Sequence, residues 1–523
     1  MEKLRPQPEQ KFFGDYIPEK FSLIEEKALE PYFSNVDKPV FAVTGLPPSI
    51  IGAIISRHSQ SPDSMRRIFL NEFVGDIHQL TNEQKDQQKI EEFLEQKKAE
   101  ELLRKNFVGF GHDSLAAAVP FVLGFDKVSQ LSAKLIEDTR IGLSPIERST
   151  RYGNFGSKID GKYLYARSPL IMNSEEHAKL YEAEINANLD LYNELLEPVG
   201  EKYREKFPEA SNWQIRRMTF DTVRVLLVAG NFTNIGVMVN GQAMENMIIK
   251  LRASELIEHQ ELGRMLEKEG AKVSAPMVGR ISQDFGQEAI EYRASLAKES
   301  RALADEHLLG IEPKRIKKRV ALTHFDPEGE NKVIAKILWP GCNLSDEQVF
   351  EAVRQLSVED KKEIIRKYVG QRPDRRSKLG RAFEEATLSF EIVMRFGDWR
   401  DLQRNRILTP HWRVFNYQLG LDVGEDLYEF GFGQIIEERL NEIAEAHAII
   451  AKDLPAEAQY MLAFGALVLY EITLNVRELG HIVELRTGPG VHGGYAVVAS
   501  EMGKQGIEVY PLFRDVFQFA NWR

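Results

Sequence analysis

The sequence predicts an α+β fold made of two tandem, divergent copies of one domain, each an antiparallel sheet packed with helices. Three observations predict it. First, an Asn followed about a dozen residues later by a Leu-Arg pair occurs twice on helical spacing, in NIGVMVNGQAMENMIIKLR (234–252) and VLYEITLNVRELGHIVELR (468–486). Asn240 and Asn475 lie 235 residues apart, and Arg252 and Arg486 lie 234 apart. Second, each pair is followed by a further helical stretch and a short apolar run ending in proline, GAKVSAP and GIEVYP, with Pro276 and Pro511 again 235 apart. Third, AVPFVLGFDKVSQL and ATLSFEIVMRFGDWRDL share an apolar pattern at an offset of about 265, which implies about 30 extra residues inside the first copy.

These repeats divide the chain into an N-terminal arm (1–35), a first copy (36–280), a helical linker (281–325) and a second copy (326–523). The arm is charged and proline-containing, and residues 38–56 carry apolar runs around a Gly-Leu-Pro-Pro turn. Residues 81–105 have the pattern of a strongly charged helix with a solvated face, and 287–306 that of an amphipathic helix. PKRIKKR (313–319) reads as linker, with contact to an anionic partner as the alternative.

Composition narrows the function. Hydrophobic residues make up 43% of the 523 residues and charged residues 28%, which is globular rather than disordered. Lys and Arg number 68 against 79 Asp and Glu, so the net charge is −11, which excludes a whole-surface nucleic-acid binder but permits a local basic pocket. The single cysteine, Cys342, excludes an intrachain disulfide, a CxxC metal knuckle and a dithiol centre. The N-terminus lacks an apolar signal region and no apolar run approaches the roughly 20 residues of a membrane helix, so a soluble, cytoplasmic protein without a membrane partner is expected.

Four segments carry candidate chemistry. ERSTRY (147–152) places Glu147, Ser149 and two guanidinium groups within a short stretch able to hold a phosphate, or simply to pair locally at a helix start. Arg404-Asn405-Arg406 follows Asp398 and Asp401, and both surface pairing and anion binding fit it. GFGHDS (109–114) sets His112 beside Ser114 in a Gly-bounded loop. GPGVHG (488–493) matches GxGxxG literally, but a helical pattern precedes it where a dinucleotide fold needs a strand. What survives is a helix start at GYAVVASEMGK whose amides could meet a phosphate. No GxxxxGK[ST], HExxH or GxSxG occurs, and no zinc-like spacing, so no metal is expected.

Together these segments resemble the flavin-dependent thymidylate synthases (ThyX-like). ERSTRY is similar to the end of their RHRxxSxNExSxRY motif, DLQRNRILT to its beginning, GHDS to the Gly-His segment ahead of it, and both Asn…Leu-Arg helices to the family's C-terminal N-x-R-x-L…L-R run. The likeness covers about residues 40–277 and 326–523 in family order. It implies reductive methylation of dUMP to dTMP, with FAD carrying the hydride and methylenetetrahydrofolate and NADPH as co-substrates. The family needs no cysteine nucleophile, and its single-domain chains form homotetramers with sites at subunit junctions. A tandem chain is then expected to be a homodimer forming a pseudo-tetramer.

Carried over residue by residue, the resemblance gives the first copy Glu147, Ser149, Arg151, Arg224 and Arg252 as nucleotide-binding positions. His112, Ser114, Asn240, Asn246 and Ser59 fall at flavin-contacting ones. Its motif is eroded, with Thr139, Arg140 and Ile141 for Arg-His-Arg, Ala117 for a Glu and Gln242 for an Arg. The second copy keeps Glu384, Arg404, Arg406, Asn475, Arg477 and Arg486. Asn405 stands for the motif His, and His481 and His492 are further cofactor positions. It has lost the Glu and Ser in TPHWRVFNY, has Gln459 where the nucleotide Arg belongs, and has Lys378 and Leu379 for Gly-His. The losses are complementary, so composite sites between the copies are expected, with Ser149 and Arg486 as the catalytic pair and Arg404 touching both ligands. An ionised phosphate in a dry pocket needs several charge-assisted bonds of roughly 1.5–3 kcal/mol each, and Arg151, Arg224 and Arg486 would supply them. Two other readings stand beside this one: a flavoenzyme modifying C5 of another pyrimidine nucleotide, and a non-catalytic homologue that binds nucleotide or flavin.

Overall fold

The computed structural model describes residues 18–39, 41–58, 61, 63–74, 95–109, 113–312, 316, 318–488 and 493–523. The chain forms two compact units. One comprises Met1–Gly124, Ile141–Pro145 and Gly236–His307, the other Phe125–Arg140, Ile146–Ile235 and Leu308–Arg523. The described residues form nine strands: β1 (Pro120–Ser129), β2 (Leu143–Glu147), β3 (Lys158–Ile159), β4 (Lys162–Tyr163), β5 (Phe232–Asn240), β6 (Val320–Phe325), β7 (Thr387–Arg395), β8 (Leu408–Trp412) and β9 (Leu467–Asn475). They and the helices give the expected mixture of sheet and packed helix.

In the first unit, the helix Gly241–Arg252 packs on Ile257–Val278, and Pro48–His58 packs on Gln96–Leu103. Met244, Met247, Ile248 and Leu251 are fully buried in this unit. GAKVSAP lies within Ile257–Val278, where the backbone turns extended at Ser274 (φ −157°, ψ 93°), so one helix breaks there and a short helical segment restarts around Pro276. GIEVYP runs past the end of the helix Gly493–Val509, and its Pro511 opens the 3-10 turn Pro511–Val516. Of the charged stretch 81–105, the described part is the helix Gln96–Leu103 and a following wide turn, the rest lying outside the described residues. The stretch 287–306 is helical within Asp284–His307, but of this helix Gly286 is buried while Tyr292, Leu296 and Leu303 face outward.

The second unit holds an antiparallel sheet in the order β6-β7-β9-β8. Strict alternation along β9 turns Val468, Tyr470, Ile472 and Leu474 inward. The helix Gly493–Val509 packs on β6 and β7, and Val476–Arg486 packs on that helix.

The order β7-β9-β8 has a counterpart in the three-stranded sheet β1-β5-β2. β5 and β9 are each nine residues long, start 235 residues apart, and end on Asn240 and Asn475. Each of these asparagines caps the following helix, its side-chain oxygen accepting from Ala243 N or Glu478 N at 2.9 Å. β2 and β8 lie 265 apart with the same burial alternation. The 3-10 turns Arg224–Leu226 and Gln459–Met461 lie 235 apart.

Within the second unit these two turns lead into segments that pair with one another. Ala229 N donates to Leu462 O (2.8 Å) and Phe464 N to Leu227 O (2.7 Å); Gly230 N donates to Tyr460 O (2.8 Å) and Gly465 N to Val225 O (3.0 Å). Exchanging each residue for the one 235 positions away maps the first bond of each couple onto the second. The bridge Val228–Ala463 lies at the centre. This is the self-complementary pattern of a two-fold contact.

Gly230 permits the approach, since a Cβ there would lie 2.9 Å from Tyr460 O. Gly230→Ala is expected to force the two segments apart and cost about 1–3 kcal/mol, read as a lower denaturation midpoint by urea titration.

Candidate functional site

The second unit gathers a buried cluster of charge. Arg224, at the end of the helix Asn212–Val223, has a side chain only 4% exposed, too deep to remain unpaired. It reaches Asp221 at 3.3 Å, Asp398 at 3.2 Å and Asp401 at 3.9 Å, and approaches the Thr150 hydroxyl at 3.5 Å. Asp221 also holds Arg151 Nε at 3.1 Å, and Asp398 accepts from Arg395 Nε at 2.8 Å. Asp398 and Asp401 lie on the helix Phe396–Leu402. Hydrogen bonds from Phe396 N to Ala466 O and from Gly397 N to Phe464 O fix the start of that helix.

Glu147, at the end of β2, is the second centre. It accepts from Lys134 Nζ at 2.8 Å and from Arg400 Nη2 at 2.7 Å, and all three side chains are 7% exposed or less. Burial alone would raise the Glu147 carboxyl, but Arg400 and Lys134 hold it down to about 2. Lys134 also pairs with Glu137. Burial acts on Asp401 in the same way and is overcome by Arg404 and Arg224, so its carboxyl lies below the usual range. Arg404 pairs with Asp401, and Arg486 Nη2 donates to the Asp401 carbonyl at 3.4 Å. Arg486 lies over the Tyr495 ring at 4.8 Å, and its buried Nε has no hydrogen-bond partner. Ser149 Oγ accepts from Arg151 N at 3.2 Å, and Asn405 is buried, donating to Leu402 O at 2.7 Å.

Arg151, Asp221, Arg395 and Asp398 also line a cleft of 1130 Å³ with Val393, Met394, Val497 and Gly493-Gly494. That glycine pair opens the helix Gly493–Val509. A Cβ at Gly494 would lie 2.6 Å from Arg395 Nη2 and 2.7 Å from Asp398 Oδ2, so glycine lets the helix start beside this ion pair without displacing it.

Other second-copy positions form a separate group around the helix Val476–Arg486. Arg477 donates to Glu384 at 2.6 Å and to Leu379 O at 2.8 Å, while His481 meets Lys378. Burial, with Lys378 and Arg486 nearby, lowers His481 to about 4, and burial raises Glu478 to about 7 against the pull of Lys378 and Arg477. Arg406 is exposed. In the first unit, Arg252 pairs with Glu267 at 2.9 Å, and Asn246 and Ser114 are exposed. Ser59, His112 and His492 lie outside the described residues.

Glu147, Ser149, Arg151, Arg224, Arg404 and Arg486 thus belong to one unit with linked partners. Sequence reasoning missed Lys134, Arg400, Arg395, Asp221 and Tyr495; Arg395 and Arg400 lie in the repeated segment 386–402 and Tyr495 in the helix start at 494–504, but none of these was singled out as a site residue. The signal that could have found Lys134 and Arg400 is their shared place in the repeat, 266 residues apart.

With this architecture in view, residues 71–275 match the family described as thymidylate synthase complementing protein, which bears out the resemblance seen in the sequence. The chain belongs to the UPF0159 family. It is 30% identical over 512 residues to a UPF0159 protein of Chlamydia muridarum, covering 96% of each chain, and 30% identical over 516 residues to one of Chlamydia pneumoniae, again covering 96% of each. A UPF0159 protein of Thermoplasma acidophilum is 26% identical, covering 90% of this chain and 95% of that one. Among solved structures, a UMP/dUMP methylase from Streptomyces cacaoi bound with 5-Br dUMP matches at 16% identity and a TM-score of 0.31, covering 38% of this chain and 93% of that one. No helix among the described residues is long and apolar enough to cross a membrane.

Glu478 gives a pH-dependent prediction. Its carboxyl stays protonated in the folded chain up to about pH 7 but ionises near 4.5 when unfolded, so folding loses stability as pH rises between those values. The stability difference between Glu478→Gln and the parent is expected to move in the variant's favour from pH 4.5 to 7 and then level off, as read by denaturant titrations across pH 4.5–8.

Proposed function

We propose that this protein is a nucleotide-modifying enzyme that methylates dUMP to dTMP, as a tandem duplication whose two copies share a composite site. One observation carries the reading: cations from both halves of the chain meet in one largely buried cluster, with Arg404 at its exposed edge. Lys134, Arg151, Arg224, Arg395, Arg400, Arg404 and Arg486 face Glu137, Glu147, Asp221, Asp398 and Asp401. Several guanidinium groups converging on one place suit the dianion of a nucleoside monophosphate. Arg151 and the glycine-opened helix would meet the phosphate from the cleft, Ser149 would hydrogen-bond it, and Arg486 would approach the base with its unpartnered Nε.

The matching strand orders, the 235-residue spacing and the two-fold pairing support the duplication. FAD, when bound, supplies the hydride for reduction of the transferred carbon. The residues available to hold it are Asn475, Arg477, His481 and Glu384, with Arg404, Asn405 and Arg406 beyond the helix Phe396–Leu402. Their donor-rich chemistry fits the carbonyls and diphosphate of a flavin dinucleotide, and neutral His481 can accept as well as donate. Methylenetetrahydrofolate as carbon donor, NADPH as reductant and assembly as a homodimer complete the proposal. A cytoplasmic location fits these metabolites.

The test is an absorption spectrum of the FAD-loaded protein with and without dUMP, followed by anaerobic NADPH reduction. The expected result is a flavin band whose shape or reduction rate responds to dUMP; a protein that takes up no FAD would overturn the flavin reading. Arg151→Ala is expected to weaken dUMP binding at least tenfold, from the loss of about 1.5–3 kcal/mol, while its denaturation midpoint stays near that of the parent. Unchanged affinity would remove Arg151 from the site.

A further inference from the structure

The two-fold contact relates Glu147, Thr150, Arg151 and Arg224 of the proposed nucleotide site to second positions in the same unit, and those positions have been rebuilt. The segments SPIERSTRY (144–152) and TPHWRVFNY (409–417) correspond residue for residue, keeping Pro145/Pro410, Arg148/Arg413 and Tyr152/Tyr417. Where the first has Glu147, Thr150 and Arg151, the second has Trp412, Phe415 and Asn416. Ala133, on the helix Gln130–Glu137, corresponds to Trp399, Ile235 to Tyr470, and Arg224 to Gln459.

The substituted side chains pack together. Trp399 lies 5.5 Å from Trp412, 4.9 Å from Phe415 and 6.0 Å from Tyr470 between ring centres, all nearly edge-to-face. Phe396 closes the group at 5.4 Å from Trp399 and 5.2 Å from Phe415. Trp399, Tyr470 and Phe396 are 1% exposed or less. Gln459, in place of the guanidinium, is spent on the backbone, accepting from Phe415 N at 3.0 Å and donating to Ala456 O at 2.9 Å. Lys134, the counterpart of Arg400, is committed to Glu137 and Glu147 at the other site. A phosphate dianion at the second position would displace close-packed rings and find no guanidinium in place of Arg151 or Arg224.

We infer that each chain binds one pyrimidine nucleoside monophosphate, and that the two-fold-related position is a closed aromatic core that holds the two halves together. This rests on the proposed function, and counting ligands separates the two. Each chain then devotes one corner of its symmetry to charge and the other to apolar packing. The aromatic pairs contribute beyond simple burial.

The experiment is isothermal titration of the full-length, FAD-saturated protein with dUMP, alongside Trp412→Ala. The expected result is one dUMP per chain in both proteins, with dissociation constants within about twofold, and a melting temperature several degrees lower in the variant, as large-to-small changes in packed aromatic groups produce. Two dUMP per chain in the parent would overturn the single-site inference and leave the proposed function standing. No dUMP uptake would overturn both. A folded Trp412→Ala protein that no longer binds dUMP would place Trp412 in the ligand site and overturn its structural role. Should the alanine variant not fold, Trp412→Phe gives the same readout, with parental stoichiometry and affinity expected and loss of dUMP binding contradicting the inference.

Discussion

The pairing of residues 225–230 with 460–465 is the constraint on which the second unit depends. Val225, Leu226, Leu227, Val228 and Ala229 are 3% exposed or less, as are Tyr460, Met461, Leu462, Ala463 and Phe464. Their amides and carbonyls have no water to turn to, so they must satisfy one another. Consequences follow along the chain. Ala466 and Phe464 carbonyls accept from the first amides of the helix Phe396–Leu402, and the Ala229 carbonyl accepts from Gln130 N, at the start of the helix Gln130–Glu137. The first helix carries Asp398, Arg400 and Asp401; the second carries Lys134 and Glu137. Arg224 immediately precedes the paired segment. One backbone contact therefore fixes which cations and carboxylates meet.

Their meeting is an electrostatic balance rather than a set of independent salt bridges. Buried ion pairs often gain little net stability, because desolvation offsets their attraction, yet removing one member leaves a costly unpaired charge. Such a cluster suits a binding site: the carboxylates keep the arginines folded inward, where an anion can meet several of them. Glu147 shows the strength of the field, since two cations overcome complete burial. The aromatic counterpart around Trp399 needs no such balance, and its stability comes from packing.

Much of the fold was legible in the sequence because the repeat is periodic. The 235-residue spacing of Asn240/Asn475 and Arg252/Arg486 reflects a strand, a capping asparagine and a helix, all local features with residue-type signatures. GAKVSAP was less legible: a proline marks a bend or an end equally well, and here the helix breaks at Ser274 and restarts around Pro276. The candidate site was half legible. Arginines in motifs stand out by type, and Asp398 and Asp401 were visible beside Arg404. That Asp398 serves Arg224, 174 residues away, could not be read from sequence, because it is set by the two-fold pairing. Lys134 and Arg400 were hidden for the same reason.

The central claim is that both halves of the chain hold one nucleotide. It is tested most directly by measuring dUMP affinity in Arg486→Ala and in the Arg151→Ala/Arg486→Ala double variant, as a double-mutant cycle with the single Arg151 variant. The account predicts that each single variant binds more weakly and that the double loss departs from the sum of the two by 0.5 kcal/mol or more, the mark of residues sharing a ligand. Parental affinity in Arg486→Ala would contradict it, because the second-half arginine assigned to the base would then not touch the ligand.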